Sequence, residues 1–262
     1  MPRSNLYTLG FAAAMCLACS ILVTSSAVSL RPAQQVNQLL DKQKNVLESA
    51  GLLEPGESVT PEEVETLFES FRPVVVDLQS DALDSATDAA DVDMRKWSKD
   101  PGLSTQVEKN LAQVRRVPHK AVIYELLADN GSVELVVMPV EGAGLWGTMY
   151  GFLAVSGDLQ EVRGLTFYEH KETPGLGGEV DNPRWKALWP GRKIYGGDGD
   201  IAIEVIKGIA GSVEDDPYRV DGMSGATITS RGVTNMLRFW LGEEGYGPYL
   251  DSYLATRQQE AA

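Results

Sequence analysis

Ten consecutive residues, Asp221, Gly222, Met223, Ser224, Gly225, Ala226, Thr227, Ile228, Thr229 and Ser230, place four hydroxyls among small side chains just ahead of an amphipathic stretch. Two chemistries suit that pattern. A hydroxyl can cap the helix that comes next, or the free N–H groups and the positive end of the helix dipole can receive a phosphate. Gly225 and Ala226 leave Thr227 sterically open. No histidine or lysine lies close in sequence to activate that hydroxyl, so a serine-hydrolase type of attack by the chain itself is not expected.

A second segment, His170-Lys-Glu172-Thr173-Pro174-Gly175-Leu176-Gly177-Gly178, reads on its own as a glycine-rich turn after a strand. A third, Gly142-Ala-Gly144-Leu-Trp146-Gly147, fits the spacing of a dinucleotide-binding loop. That loop must lie between a strand and a helix, whereas Thr148–Val155 reads as a strand, so the match is discounted. Neither His119 nor His170 has an assignable role. Lys207 is either a counter-charge for a phosphate or a solvated side chain.

These loops need elements to hold them. After Pro118 the runs Ala121–Leu127, Val133–Val140, Met149–Val155 and Val162–Tyr168 predict antiparallel strands, separated by Asn130-Gly131, a glycine cluster and Gly157-Asp158. Asn182 and Pro183 open a short helix that Pro190-Gly191 ends, and Ile201–Ile206 predicts another strand. The last helix is expected from about Arg231 to Leu241, with Val233, Met236, Leu237 and Trp240 inward and Gly242 as its stop. Upstream, Val36, Leu39, Leu40 and Leu47 predict a helix ending at Gly51. A further helix is announced by Thr60, Pro61 and Glu63 and closed by Pro73. Asp81, Asp84, Asp88 and Asp91 lack the alternation of a calcium loop and read as a solvated acidic face.

From Ser4 to Leu30 no residue is charged, and about 20 apolar residues suffice to cross a bilayer. The stretch reads as an uncleaved anchor. A cleaved signal peptide competes, with Ser25-Ser26-Ala27 as its one weak processing site. Arg3 on one side and Arg31, Lys42 and Lys44 on the other leave the orientation undecided by charge. Cys16 and Cys19, the two cysteines of the chain, lie inside this stretch, so the remainder of the chain has no thiolate ligand and no disulfide. Two histidines and no cysteine make a metal centre unexpected. The 262 residues carry 23 basic against 37 acidic side chains, a formal charge of −14, which opposes binding to nucleic acid. The expected layout is an anchor over 1–32, a helical and acidic membrane-proximal region over 33–118, and an α+β domain of antiparallel sheet and peripheral helices over 119–262.

Ser224-Gly225-Ala226-Thr227, preceded by Asp221, resembles the flavinylation motif of the FMN-binding domain family. The resemblance implies that a separate flavin transferase joins the FMN phosphate to the hydroxyl of Thr227 by a phosphodiester bond, with Ser224, Gly225 and Ala226 beside it. The 170–178 segment resembles the loop that lies along the flavin in that family. This implies polar contacts from Glu172, Thr173 and the backbone at Gly175, and cover of a ring face by Leu176. Trp146 is a candidate to stack on the ring or is plain packing. With Leu30-Arg31-Pro32, Phe239-Trp240-Leu241-Gly242 and Gly245-Tyr246-Gly247-Pro248, the likeness extends along nearly the whole chain. It is similar to the family of C subunits of bacterial sodium-translocating NADH:quinone oxidoreductases. The flavoprotein subunits of Rnf-type electron-transport complexes are paralogous.

The resemblance implies an electron relay through covalent FMN, within a membrane complex that oxidises NADH with quinone and exports sodium. It also implies partner subunits around a single-pass inner-membrane anchor, an N-terminus in the cytoplasm and a soluble domain in the periplasm. The alternatives are a paralogous Rnf-type electron-transport subunit and a membrane-tethered periplasmic binding or adaptor protein without redox chemistry.

Overall fold

A computed structural model of the chain describes residues 4–54, 56–128 and 130–260; Arg3, the charge on the N-terminal side of the anchor, lies outside them. The chain divides into two units, one ending at Lys42 and the other beginning at Gln43. The first is helical: α1, Asn5–Ser49, begins there and contains a window long and apolar enough to cross a bilayer, none of it buried.

The second unit holds everything else. Gly51 stops α1 in the left-handed region at φ +75°, and the Leu52 N–H closes on the Leu47 carbonyl at 3.0 Å, the hydrogen bond of a glycine-terminated helix. Helix α2, Pro61–Phe68, carries the expected capping box, with the Thr60 N–H donating to Glu63 at 2.8 Å and the Glu63 N–H to the Thr60 hydroxyl at 3.3 Å. There follow β1 (Phe71–Asp77), β2 (Ala82–Leu83), α3 (Met94–Trp97), β3 (Ser104–Gln106), β4 (Arg116–Pro118), β5 (Lys120–Leu127), β6 (Val133–Ala143), β7 (Thr148–Ser156) and β8 (Val162–Glu169). Then come α4 (Pro183–Lys186), β9 (Glu204–Val205), β10 (Arg219–Val220), α5 (Thr227–Leu241) and α6 (Gly247–Glu260).

Six strands form one sheet in the order β2-β1-β5-β6-β7-β8, with antiparallel pairing throughout. Strands from both sides of residue 118 therefore share a sheet. β1 was not expected, because Pro73 read as a helix terminator. Pro73 pairs with Tyr124 of β5, while β2 covers β1 only at Val76 and Asp77, so proline sits where its other edge is open and no ladder N–H is lost. Beyond Val137, β6 outruns its pairing with β5. The carbonyls of Pro139 and Glu141 instead accept from the Tyr246 hydroxyl at 2.9 Å and the Trp240 indole at 2.7 Å.

Helix α5 lies against the far end of β6. A Cβ on Gly232 would stand 2.3 Å from the Ala143 carbonyl oxygen, and one on Gly142 would stand 2.7 Å from Met236; the approach requires glycine on both partners. α5 begins four residues before the expected Arg231, because the poor helix formers Thr227, Ile228 and Thr229 hide the first turn. The expected strand Ile201–Ile206 shrinks to the two residues of β9, paired in parallel with β10. α6 was missed, since its Gly247-Pro248 start reads as loop. The acidic face is also partly committed: Asp84 accepts from Lys120 at 2.5 Å and from Thr87 at 2.7 Å. Lys120 holds the Asp84 carboxyl well below the usual aspartate range.

Candidate functional site

Three segments converge at the start of α5. They are the hairpin between β6 and β7, the loop after β8, and the stretch leading into the helix. Because β6 ends beside Gly232 and β8 delivers His170, the sheet itself sets where the first two loops emerge. The segment that resembled a dinucleotide loop is thus a β-hairpin turn, with strand rather than helix after it.

The four hydroxyls ahead of and within α5 separate into two classes. Thr229 and Ser230 are buried: the Thr229 hydroxyl donates to Glu172 Oε2, and Ser230 Oγ accepts from the Met223 N–H at 3.1 Å. Ser224 and Thr227 are exposed. The N-cap of α5 is Ala226, and no side chain caps the helix; the first intrahelical bond runs from the Ser230 N–H to the Ala226 carbonyl at 2.9 Å. The N–H groups of Thr227, Ile228 and Thr229 precede that bond and face outward from the positive end of the helix. Gly225 is in the left-handed region at φ +71°, and a Cβ there would be 2.9 Å from Leu176 Cδ2, which puts Leu176 against the turn that presents Thr227.

Thr227 opens on a cleft of about 700 Å³ that is also lined by Lys207, Arg231 and Arg238. Glu204, the one acidic residue lining it among the described residues, pairs with Arg238 at 3.1 Å and with Arg219 at 3.4 Å. The cleft is therefore a cationic recess on a strongly acidic chain. Asp221 stands behind it: its carbonyl accepts from the Trp185 indole at 2.9 Å and its carboxylate from the Ala210 N–H at 2.8 Å.

Trp146 is 64% exposed and Leu176 is 44% exposed, so neither is a core residue. Leu145 and Ile228 are exposed as well, giving an apolar margin of aromatic and aliphatic side chains. On its other side the hairpin lines a cleft of about 490 Å³ with Lys99, Arg115 and Glu141. Burial raises the Glu141 carboxyl above its ordinary range, against the opposing charges of Arg95 and Lys99.

Glu172 is placed otherwise than expected. It is 5% exposed, and both carboxylate oxygens are engaged within the chain, Oε1 by the Trp146 N–H at 2.9 Å and Oε2 by Thr229. It supports the site from beneath and has no oxygen turned to a ligand. Thr173 and Gly175 are exposed; Gly175 has φ +75°, and the Thr173 carbonyl accepts from the Leu176 and Gly178 N–H groups at 3.1 and 2.9 Å. His170, without a role in the sequence, accepts the Glu172 N–H on Nδ1 at 3.1 Å and meets Asp181 through Nε2 at 2.7 Å. No local signal could have revealed the Glu172 contacts, since Glu172 and Thr229 are 57 positions apart.

The donor set fits FMN. An uncapped helix start, the cationic side chains of Lys207 and Arg231 and an exposed threonine suit a phosphate ester, and the apolar margin suits a planar ring.

Comparison with known proteins agrees. The FMN-binding domain family matches residues 144–242, which include the hairpin tip, the 170–178 loop and α5. The C subunit of the Na(+)-translocating NADH-quinone reductase of Pseudomonas aeruginosa is 46% identical over 95% of this chain and 95% of its own length. The protein of the same name from Yersinia pestis is 43% identical over 90% and 88%. The crystal structure of Shewanella oneidensis NqrC superposes with a TM-score of 0.75 at 33% identity, covering 85% of this chain and 99% of that one. The corresponding C subunit from Parabacteroides distasonis gives a TM-score of 0.62 at 28% identity, over 84% and 96%. With these identities over most of both chains and the same fold, the chain belongs to the family of Na(+)-translocating NADH-quinone reductase C subunits.

Proposed function

We propose that this chain carries FMN joined by a phosphodiester bond to Thr227 and serves as the electron-relaying subunit of a membrane complex that oxidises NADH with quinone and exports sodium. The observation that carries the proposal is the exposed Thr227 hydroxyl, at the uncapped first turn of α5, opening on a cleft with Lys207, Arg231 and Arg238. FMN, when bound, supplies one- and two-electron transfer. The chain's own residues bind and orient it: Lys207, Arg231 and the helix N–H groups face the phosphate, while Leu176 and Trp146 offer apolar surface to the ring. A separate flavin transferase makes the bond, so the chain itself need not supply a base to activate Thr227.

The rest of the reading concerns place. Residues 1–32 anchor the chain in the inner membrane. The N-terminus is cytoplasmic, and the FMN-binding domain, whose sheet includes β1 and β2 from the 33–118 region, is periplasmic. A covalent link keeps the cofactor from being lost by dilution outside the cytoplasm. Partner subunits supply NADH oxidation, quinone reduction and the sodium path, which one helix cannot form.

Coexpression with a flavin transferase, followed by denaturing electrophoresis under ultraviolet light, tests the attachment. Wild type and Ser224→Ala should retain flavin fluorescence in the polypeptide band, and Thr227→Ala should lose it. Fluorescence that survives Thr227→Ala would overturn the assignment.

A further inference from the structure

We propose that Glu172 is the positioning residue of the flavin site: its buried carboxylate clamps the 142–147 hairpin and the first turn of α5 to the 170–178 loop, and thereby fixes Trp146 and Leu176 relative to Thr227. The inference rests on the proposed role of Thr227 as the flavin attachment point.

Each oxygen of this carboxylate holds a different segment. Oε1 accepts the backbone N–H of Trp146 at 2.9 Å, and Oε2 accepts the hydroxyl of Thr229, two residues beyond the attachment threonine on the same helix. The surrounding backbone has closed down on the group. A Cβ on Gly144 would stand 2.5 Å from Oε1, and one on Gly177 would stand 2.5 Å from both Oε2 and Thr229 Oγ1. Glycine therefore lies on two sides of the carboxylate, and any larger residue would push a loop away. Leu176, whose neighbour Gly177 touches the clamp, packs on Gly225.

The clamp is itself oriented. His170 Nδ1 accepts the Glu172 N–H, and Nε2 faces Asp181, so the histidine carries its proton on Nε2. Among the described residues no lysine or arginine forms an ion pair with Glu172. Its two oxygens are met by the Trp146 N–H of the hairpin and the Thr229 hydroxyl in the first turn of α5. An ion pair would hold one partner in a broad range of geometries, whereas these directed donors fix three chain segments at once.

The test uses the full chain coexpressed with a flavin transferase and compares wild type, Glu172→Gln, Glu172→Ala, Thr229→Val and Thr227→Ala. Three quantities are read: the rate at which intact mass shifts to the flavinylated form, the visible circular dichroism of the attached flavin, and the melting temperature. Glutamine can still accept from Trp146 and donate to the Thr229 oxygen, so Glu172→Gln should match wild type within about twofold in rate. Glu172→Ala should slow attachment at least tenfold, within the ~100-fold that a displacement of about 1 Å can cost, and flatten the flavin dichroism. Thr229→Val should move both readings the same way.

A structural role alone would lower the melting temperature of Glu172→Ala and leave the attached flavin's dichroism at the wild-type value, which would overturn the proposal. Should Glu172→Ala fail to fold, wild-type rate and dichroism in Thr229→Val would overturn it instead. Failure of the functional reading looks different, because wild type itself would then carry no flavin or Thr227→Ala would keep it.

Discussion

Replacing Gly232 by alanine sets two effects of opposite sign against each other. In an exposed helix the exchange is favourable by about 1 kcal/mol, because glycine loses more backbone freedom on folding. Here the new Cβ would lie 2.3 Å from the Ala143 carbonyl oxygen and 3.3 Å from its carbon, roughly 1 Å inside ordinary contact. The obstacle is the backbone of a paired strand, so α5 itself must move off β6. Overpacking costs about 1–3 kcal/mol, and a backbone obstacle belongs at the upper end. The net expectation is a loss of about 2 kcal/mol, or ~4–8 °C of melting temperature for a unit of this size. Thermal unfolding of the detergent-solubilised chain, followed by near-ultraviolet circular dichroism, measures it. Gly197→Ala, where a Cβ meets nothing within 4 Å, is the control and should not destabilise. A melting temperature at or above wild type for Gly232→Ala would refute the close packing of α5 on the sheet and, with it, the basis on which Thr227 is placed.

Buried charge has consequences of its own. Glu141 titrates above its ordinary range because it is buried. The folded state thus holds its proton more tightly than the unfolded state, and that stabilisation is present below about pH 4 and lost as pH rises through the folded value. Glu141→Gln should therefore exceed wild type in urea midpoint at pH 7–8, with the gap closing toward pH 4; a gap independent of pH would contradict this. Arg192 is 3% exposed and donates to the carbonyls of Leu188, Gly211, Ser212 and Asp216. Arg192→Met should cost ~2–4 kcal/mol and speed amide exchange across residues 211–217, and unchanged protection there would show that the guanidinium does not hold this loop.

The parts of the fold that were legible in the sequence are those specified locally. Strands β5 to β8 follow from short runs of β-favouring residues between turn signals, α2 follows from Thr60, Pro61 and Glu63, and the end of α1 follows from Gly51. The features that were not legible depend on partners far along the chain. β1 is a strand because β5 pairs with it in spite of Pro73. Asp84 leaves the acidic face because Lys120 lies opposite. Arg95, at a distance of 74 positions, makes a bidentate pair with Glu169 and lies 3.9 Å from the Tyr150 ring centroid. At the site, the spacing of the small residues marks Thr227 as open. It does not reveal that Thr229 and Ser230 are closed, since both are committed by burial. Glu172 shows the same limit: a carboxylate in a glycine-rich loop reads as ligand-facing until the fold supplies the donors that occupy it.

The central claim rests on the attachment at Thr227, and peptide mass spectrometry of the chain isolated from native membranes tests it most directly. Tryptic cleavage after Arg219 and Arg231 releases Val220–Arg231, which contains Ser224, Thr227, Thr229 and Ser230. The account predicts that this peptide carries the mass of FMN joined with loss of water, and that fragment ions place the addition on Thr227. An unmodified peptide, or an addition on any of the other three hydroxyls, would contradict it.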